Sequence, residues 1–408
     1  MLQVSYFDLP GRRFNGYDLL DALEPYGVQG RQAVLKKWSD DPRVVELLRD
    51  AGDLEFQHVL LEIEQRHSLD DVLYPWAQRL ARTPEFRSAD VVHYHIIHQR
   101  MLSLLDLPML FSAKPSVWTL HDPWPLTGHC VHPEACTGWL TGCSPCPHLD
   151  RYFPMREDKA GAAFELKREV YSRLDVDIVV ASEFMLDMVR RSPLTSAFER
   201  VHLIPFGVDT ALFHPDLDKA AAREELGIPA DDFVVMFRGA DWPVKGLPFI
   251  KEALSLRPPA RPTTLLTVDK EGLVGELAEQ YTLVEAGVAV DETIARIYAA
   301  ADVFLMPSTA ESFGLMAVEA MACARPVICF QDTAVASVTH APECGIAVPL
   351  GDAHLLRDAI DRLMADPADA ERRGSLGRRI AEQEYDTKQY LNRLNSLYQS
   401  RADIGRNA

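Results

Sequence analysis

Short runs of branched apolar residues alternate with helix-patterned stretches along almost the whole chain, and this alternation limits the fold more than any other feature. Residues 2–7, 89–95, 116–121, 177–182 and 201–205 read as strands bounded by polar or turn-forming residues. The series restarts after breaks at Pro215 and Pro229, with strands at 233–238, 265–268, 303–306 and 327–330. Strands separated by helices predict parallel sheets covered on both faces. Two such series in 408 residues predict an α/β protein of two doubly wound, Rossmann-like domains. The break predicts domains over 1–205 and 206–385, with a C-terminal helix at 386–408 packing back on the first. Asp352 is expected to cap a helix presenting Leu355, Leu356, Ala359, Ile360, Leu363 and Met364 on one face, ended by Pro367. Ligands of such sheets sit beyond the carboxyl ends of the strands, so the chemistry is expected in a central cleft that the two domains face.

Charge narrows the partners. Lys and Arg total 42 against 60 Asp and Glu, a net charge of -18. A chain this acidic is a poor general ligand for nucleic acid or an anionic membrane, so any phosphate site has to be built locally. The N-terminus reaches Asp8 before any apolar run of signal-peptide length, and no later stretch is apolar enough to span a bilayer. The expectation is a cytoplasmic, soluble protein with at most peripheral contact at the inner membrane face.

The most informative segment runs from Pro307 to Cys323. It follows a strand and opens a helix, which places Gly314 and Leu315 where unpaired helix N–H groups and the helix dipole favour a phosphate. Gly314 lets a bulky anion approach the backbone. Glu311 precedes the helix and Glu319 lies about a turn into it, so the two carboxylates can flank one ligand. A pair of solvated acids at a helix start is the plainer alternative.

This segment resembles the E-x7-E motif of retaining glycosyltransferases of family 4, which have the GT-B fold. Further similarities follow in order. Residues 204–209 with Phe213 and Pro215 resemble the family's interdomain signature, Val244-Lys245-Gly246-Leu247 its lysine-glycine turn, and Trp118-Thr119-Leu120-His121-Asp122 its histidine-aspartate segment. The resemblance implies that Lys245 and the amides of Gly314 and Leu315 hold the diphosphate of a nucleotide-sugar donor, UDP- or GDP-linked, with Arg238 as an added cation. It further implies that Glu319 binds the ribose, Glu311 the transferred sugar, and that His121 lies near the anomeric centre and the acceptor. No catalytic divalent metal is implied. Two departures stand out. Relatives often carry arginine where this chain has Gly239, and the segment after residue 330, Gln331 to Ser337, lacks the usual glycines and acid. Gly11 to Gly16 holds Arg12 and Arg13, which would meet an acceptor phosphate or simply be solvated.

Cys130, Cys136, Cys143 and Cys146 crowd into an insert at 121–148, ending in a Cys-x2-Cys pair of the kind that wraps a tetrahedral zinc ion. A structural zinc site, a set of free thiols, or a disulfide or other cluster fits that spacing, and His129, His132 and His148 are spare ligands. The insert resembles one in family 4 enzymes of bacterial exopolysaccharide and colanic-acid-type assembly. The expected function is hexosyl transfer to a glycan or lipid-linked acceptor of surface polysaccharide. The alternatives are a non-catalytic sugar-nucleotide-binding or assembly subunit, an epimerase or a phosphorylase.

Overall fold

A computed structural model describes residues 1–151 and 153–407. The chain divides into two compact units: Met1–Ala181, Met185–Ile204 and the stretch from Leu391 onward form one, and Ser182–Phe184 with Pro205–Tyr390 form the other.

The first unit holds seven strands: β1 (Leu2–Phe7), β2 (Arg31–Lys36), β3 (Val44–Glu46), β4 (Val92–Tyr94), β5 (Ser116–Thr119), β6 (Asp177–Val180) and β7 (Val201–Leu203). They lie in the order β3-β2-β1-β4-β5-β6-β7, every neighbouring pair parallel. The second unit holds six, β8 (Phe233–Gly239), β9 (Thr263–Asp269), β10 (Thr282–Glu285), β11 (Val303–Met306), β12 (Val327–Phe330) and β13 (Gly345–Val348), again all parallel, in the order β10-β9-β8-β11-β12-β13. The two doubly wound domains read from the sequence are both present. In each sheet the strand order reverses once, between β1 and β4 and between β8 and β11. Loops leaving neighbouring strands at such a point diverge to opposite faces and open a crevice.

The central strands are largely buried because helices cover both faces. In β8 only Arg238 is exposed. Helices Leu247–Ser255 and Ala353–Ala365 pack on one face of this sheet through Ile250, Leu254, Leu356, Ile360 and Leu363. Asp352 caps the second by accepting the Leu355 amide, and Pro367 opens a further helix, Pro367–Glu384. Leu355 departs from the expected face: it is 41% exposed, because it sits at the edge of the buried stripe that Leu356, Ala359 and Ile360 fill. Strands β2, β3, β10 and β13, unread in the sequence, are short runs flanked or interrupted by charged residues or glycine.

Helix Thr387–Asn407 reaches the first sheet. Tyr398 meets His93 Nδ1 at 2.6 Å, and Arg401 pairs with Asp175 at 2.8 Å and Asp177 at 3.2 Å. Among the described residues no helix is long and apolar enough to cross a membrane.

Candidate functional site

In the second unit the loops leaving β8 and β11 are stitched together. The turn Pro243–Lys245 is followed by Gly246 at φ +82°, and a Cβ at Gly246 would stand 2.0 Å from the Pro307 carbonyl oxygen. Only glycine lets the turn approach the end of β11 this closely. The Thr309 amide donates to the Val244 carbonyl at 2.9 Å, fixing the two loops in register. Lys245 Nζ therefore lies 2.6 Å from Glu311 Oε1, both side chains largely shielded from solvent, with Nζ 5.3 Å from the centre of the Trp242 ring. The lysine assigned to a phosphate and the glutamate assigned to a sugar thus hold each other.

Beside this pair, helix Leu315–Ala322 starts at Gly314, whose φ of +100° favours glycine, and no side chain caps it. The Ala317 amide donates to the Gly314 carbonyl at 3.0 Å, while those of Gly314 and Leu315 lie at the helix end, where no intrahelical acceptor precedes them. Glu319 lies on the buried side of the helix, 3% exposed, where its Oε2 accepts from the Tyr298 hydroxyl at 3.0 Å. Arg238 is exposed and held by Asp269 at 2.7 Å. The missing arginine at Gly239 has a packing reason, since a Cβ there would lie 2.3 Å from the Lys270 carbonyl oxygen. In the departing segment after β12, Thr333 caps helix Ala334–Val338 and Val335 packs against Gly314. Phe206 meets Phe313 edge-on, ring centres 5.3 Å apart.

In the first unit, His121 follows β5 and meets Phe14 of the glycine-rich loop edge-on, ring centres 6.4 Å apart. Asn15 latches that loop to the end of β1, its amide nitrogen lying 2.8 Å from the Phe7 carbonyl and 2.6 Å from that of Asp8. Arg12 pairs with Asp18 at 2.8 Å. His121 Nε2 lies 3.0 Å from His95 Nδ1, a residue the sequence reading passed over although the His93-Tyr94-His95 alternation puts two imidazoles on one sheet face. The next residue, Asp122, accepts the Trp124 amide at 2.9 Å and contacts His98 at 3.1 Å. Burial would raise its carboxyl, but His98 and the amide bring it below the usual carboxylate range. Lys167 closes the segment from beneath, donating to the Trp124 and Thr127 carbonyls at 2.8 and 3.1 Å, its ammonium 3.4 Å from the indole centre. Burial lowers its pKa to about 8.

Burial also lowers the imidazoles, His93 to about 3, His121 to about 4 and His95 well below its ordinary value. The unfolded chain binds protons near pH 6.5 that the folded chain refuses, so stability is full above that pH and falls as pH drops toward 4. For His121 alone the loss is on the order of 3 kcal/mol. Hydrogen exchange at the β4 amides should accelerate steeply between pH 7 and 5, after correction for intrinsic exchange rates. Constant protection across that range would contradict it.

Cys130, Cys136, Cys143 and Cys146 line one small cavity with His129 and His148. The expected tetrahedral set is not formed: among the described residues no three His, Cys, Asp or Glu side chains stand where one metal ion could bind them. The sulfurs are turned to other partners. Cys143 accepts the Gly128 amide at 3.2 Å and Cys136 the Gly138 amide at 3.4 Å, while His129 Nε2 lies 3.2 Å from Cys146 and 3.8 Å from Cys130. None of the four is in a disulfide, and burial pushes Cys130 up to about 12.

Residues 42–212 match the family described as Glycosyltransferase Family 4, and residues 218–382 match Glycosyl transferases group 1. The chain belongs to the family 4 glycosyltransferases. This glycosyltransferase is 34% identical over 174 residues to a D-inositol 3-phosphate glycosyltransferase of Mycobacteroides abscessus, covering 40% of this chain and 39% of that protein. It is 36% identical over 151 residues to a putative colanic acid biosynthesis glycosyl transferase of Escherichia coli, covering 34% of this chain and 36% of the relative. The matched stretches span well under two thirds of either relative. Among solved structures, Anabaena HepE in complex with UDP and glucose superposes with a TM-score of 0.67 at 20% identity, over 98% of this chain and 100% of that one. That likeness shows the fold, GT-B with two Rossmann-like domains.

Proposed function

We propose that the protein is a retaining glycosyltransferase that moves a hexosyl unit from a nucleoside diphosphate sugar to a glycan or lipid-linked acceptor in bacterial surface polysaccharide biosynthesis. The observation that carries this reading is the Lys245–Glu311 pair, 2.6 Å apart, beside the uncapped start of helix Leu315–Ala322. A cation and free amides in one crevice suit the charge that grows on a departing diphosphate. In this reading Lys245 exchanges part of its bond with Glu311 for a phosphate oxygen, and the amides at Gly314 and Leu315 take a second. Arg238 adds positive field from the rim of β8. Glu319 takes the ribose, and Glu311 turns to hydroxyls of the transferred sugar. His121 serves the sugar or the acceptor on the first unit. The colanic acid relative supports the surface-polysaccharide assignment, and UDP in the HepE structure makes UDP the first base to try.

Thermal unfolding with UDP, GDP, ADP and dTDP tests the donor site. A ligand bound only by the folded state at about 100 times its Kd stabilises by about 2.7 kcal/mol, a rise of a few degrees in Tm. One base should give that shift and the others little. No shift with any of them would favour a non-catalytic assembly subunit, the reading that the Gln331–Ser337 segment, without the family's usual glycines and glutamate, suits.

A further inference from the structure

Gln3 on β1, His95 just past β4 and His121 just past β5 form one file of hydrogen bonds. Gln3 Oε1 lies 2.6 Å from His95 Nε2, and His95 Nδ1 lies 3.0 Å from His121 Nε2. The direction of the protons follows from the first member. The amide nitrogen of Gln3 lies 3.2 Å from Met1 Sδ, which can only accept, and 3.5 Å from the Tyr398 hydroxyl. That end of the amide is therefore the NH2, and the end facing His95 is a carbonyl that can only accept. His95 must carry its hydrogen on Nε2. A neutral imidazole with Nε2–H has its lone pair on Nδ1, and this lone pair accepts the Nε2–H of His121.

His95 stays neutral for reasons of geometry. It is 2% exposed, its ring centre lies 4.2 Å from that of His93, and its two ring nitrogens face Gln3 Oε1 and His121 Nε2, neither of them a carboxylate. A second proton would sit on Nδ1, facing a nitrogen that already donates. The glycine-rich loop seals the file: Gly16 has φ +89°, and a Cβ there would lie 2.6 Å from Gln3 Oε1 and 2.7 Å from His95 Nε2. The loop thus rests its bare Cα directly on the first hydrogen bond.

We propose that Gln3 and His95 are positioning residues that hold His121 as its Nε2–H tautomer, so that Nδ1 is the ring's acceptor and takes the hydrogen of a sugar hydroxyl. A site of this kind selects for a hydroxyl and against an ether, carbonyl or fluorine at the same place, because none of those can donate. The sugar in this statement rests on the glycosyltransferase reading; the tautomer does not.

The test uses the full chain with nitrogen-15 in its histidines. Imidazole spectra of the ligand-free protein should show His121, assigned by its loss in His121→Asn, as a neutral Nε2–H ring. A neutral Nδ1–H ring or an imidazolium at pH 7 overturns the proposal without any further variant. His95→Leu removes the acceptor and should give mixed tautomers and a fall in kcat of about 100-fold, the scale of a misplaced reacting group. Affinity for the nucleoside diphosphate should stay within about twofold, since that site is built on the other unit. His95→Asn puts an amide oxygen close to where Nδ1 stood and should restore both the single tautomer and most of kcat. Wild-type kcat in a folded His95→Leu protein, or a failure of His95→Asn to outperform it, refutes the positioning role. Should no nucleoside diphosphate sugar support transfer at all, an Nε2–H spectrum still stands and the enzymatic reading is what fails.

Discussion

Glu311→Ala is expected to abolish sugar transfer, by about 100-fold or more, while nucleoside diphosphate binding is kept or tightened. The reason is the contact at 2.6 Å: Glu311 and a phosphate would compete for the charge of Lys245. Removing the carboxylate leaves the ammonium with no partner to give up before a phosphate arrives. Lys245→Ala should act in the opposite sense on binding. A hydrogen bond to a charged group contributes about 1.5–3 kcal/mol, so the diphosphate should bind about 10- to 100-fold more weakly. It also leaves Glu311, 15% exposed, without its cation. Calorimetric titration with the nucleoside diphosphate and initial-rate assays on both variants separate the two effects. Equal affinity in wild type and Lys245→Ala would remove the lysine from the donor site, and unchanged turnover in Glu311→Ala would remove the glutamate from the mechanism.

Gly246→Ala is expected to be the most damaging single methyl on this surface. Its Cβ would lie 2.0 Å from the Pro307 carbonyl oxygen and 2.6 Å from the carbonyl carbon, and both belong to backbone at the end of a central strand. No flexible side chain can swing aside, so the turn itself must retreat. That retreat breaks the Thr309–Val244 hydrogen bond and draws Lys245 away from Glu311. The left-handed backbone at φ +82° adds about 1 kcal/mol for alanine, and the overlap about 1–3 kcal/mol more. Gly227→Ala is the control: it has φ +68° in the same unit and nothing within 4 Å of the added carbon. Urea unfolding should place Gly246→Ala below that control by about 1–3 kcal/mol, with transfer activity falling further than stability does. If the two variants unfold alike, the close approach to Pro307 is not what fixes the turn.

Much of this was legible beforehand. Parallel strands covered by helices are rich in branched apolar residues, so β1, β4 to β9, β11 and β12 could be read directly, and the two series implied two domains. The Glu311, Gly314 and Glu319 spacing could be read because strand, loop and helix are consecutive in the chain. Less legible were elements whose identity depends on distant neighbours. Helix Ala51–His67 buries Gln57 and Glu64 and exposes Phe56 and Val59, the reverse of what apolar periodicity suggests. Its polar side chains face inward because Gln57 accepts from the Trp76 indole at 2.6 Å and Glu64 accepts the Val72 and Leu73 amides. The cysteine spacing read as a chelate, yet spacing along the chain does not say where the sulfurs turn.

The sequence by itself determined the architecture, the family and the segments that carry charge toward a phosphate, because each is encoded by local pattern and chemical type. Only the tertiary structure decided the pairings: Lys245 with Glu311, Gln3 with His95 and His121, Gly246 against Pro307. These groups lie from 26 to 92 positions apart along the chain. A hydrogen bond acts over about 3 Å and depends on direction, so it is fixed by where strands end in space.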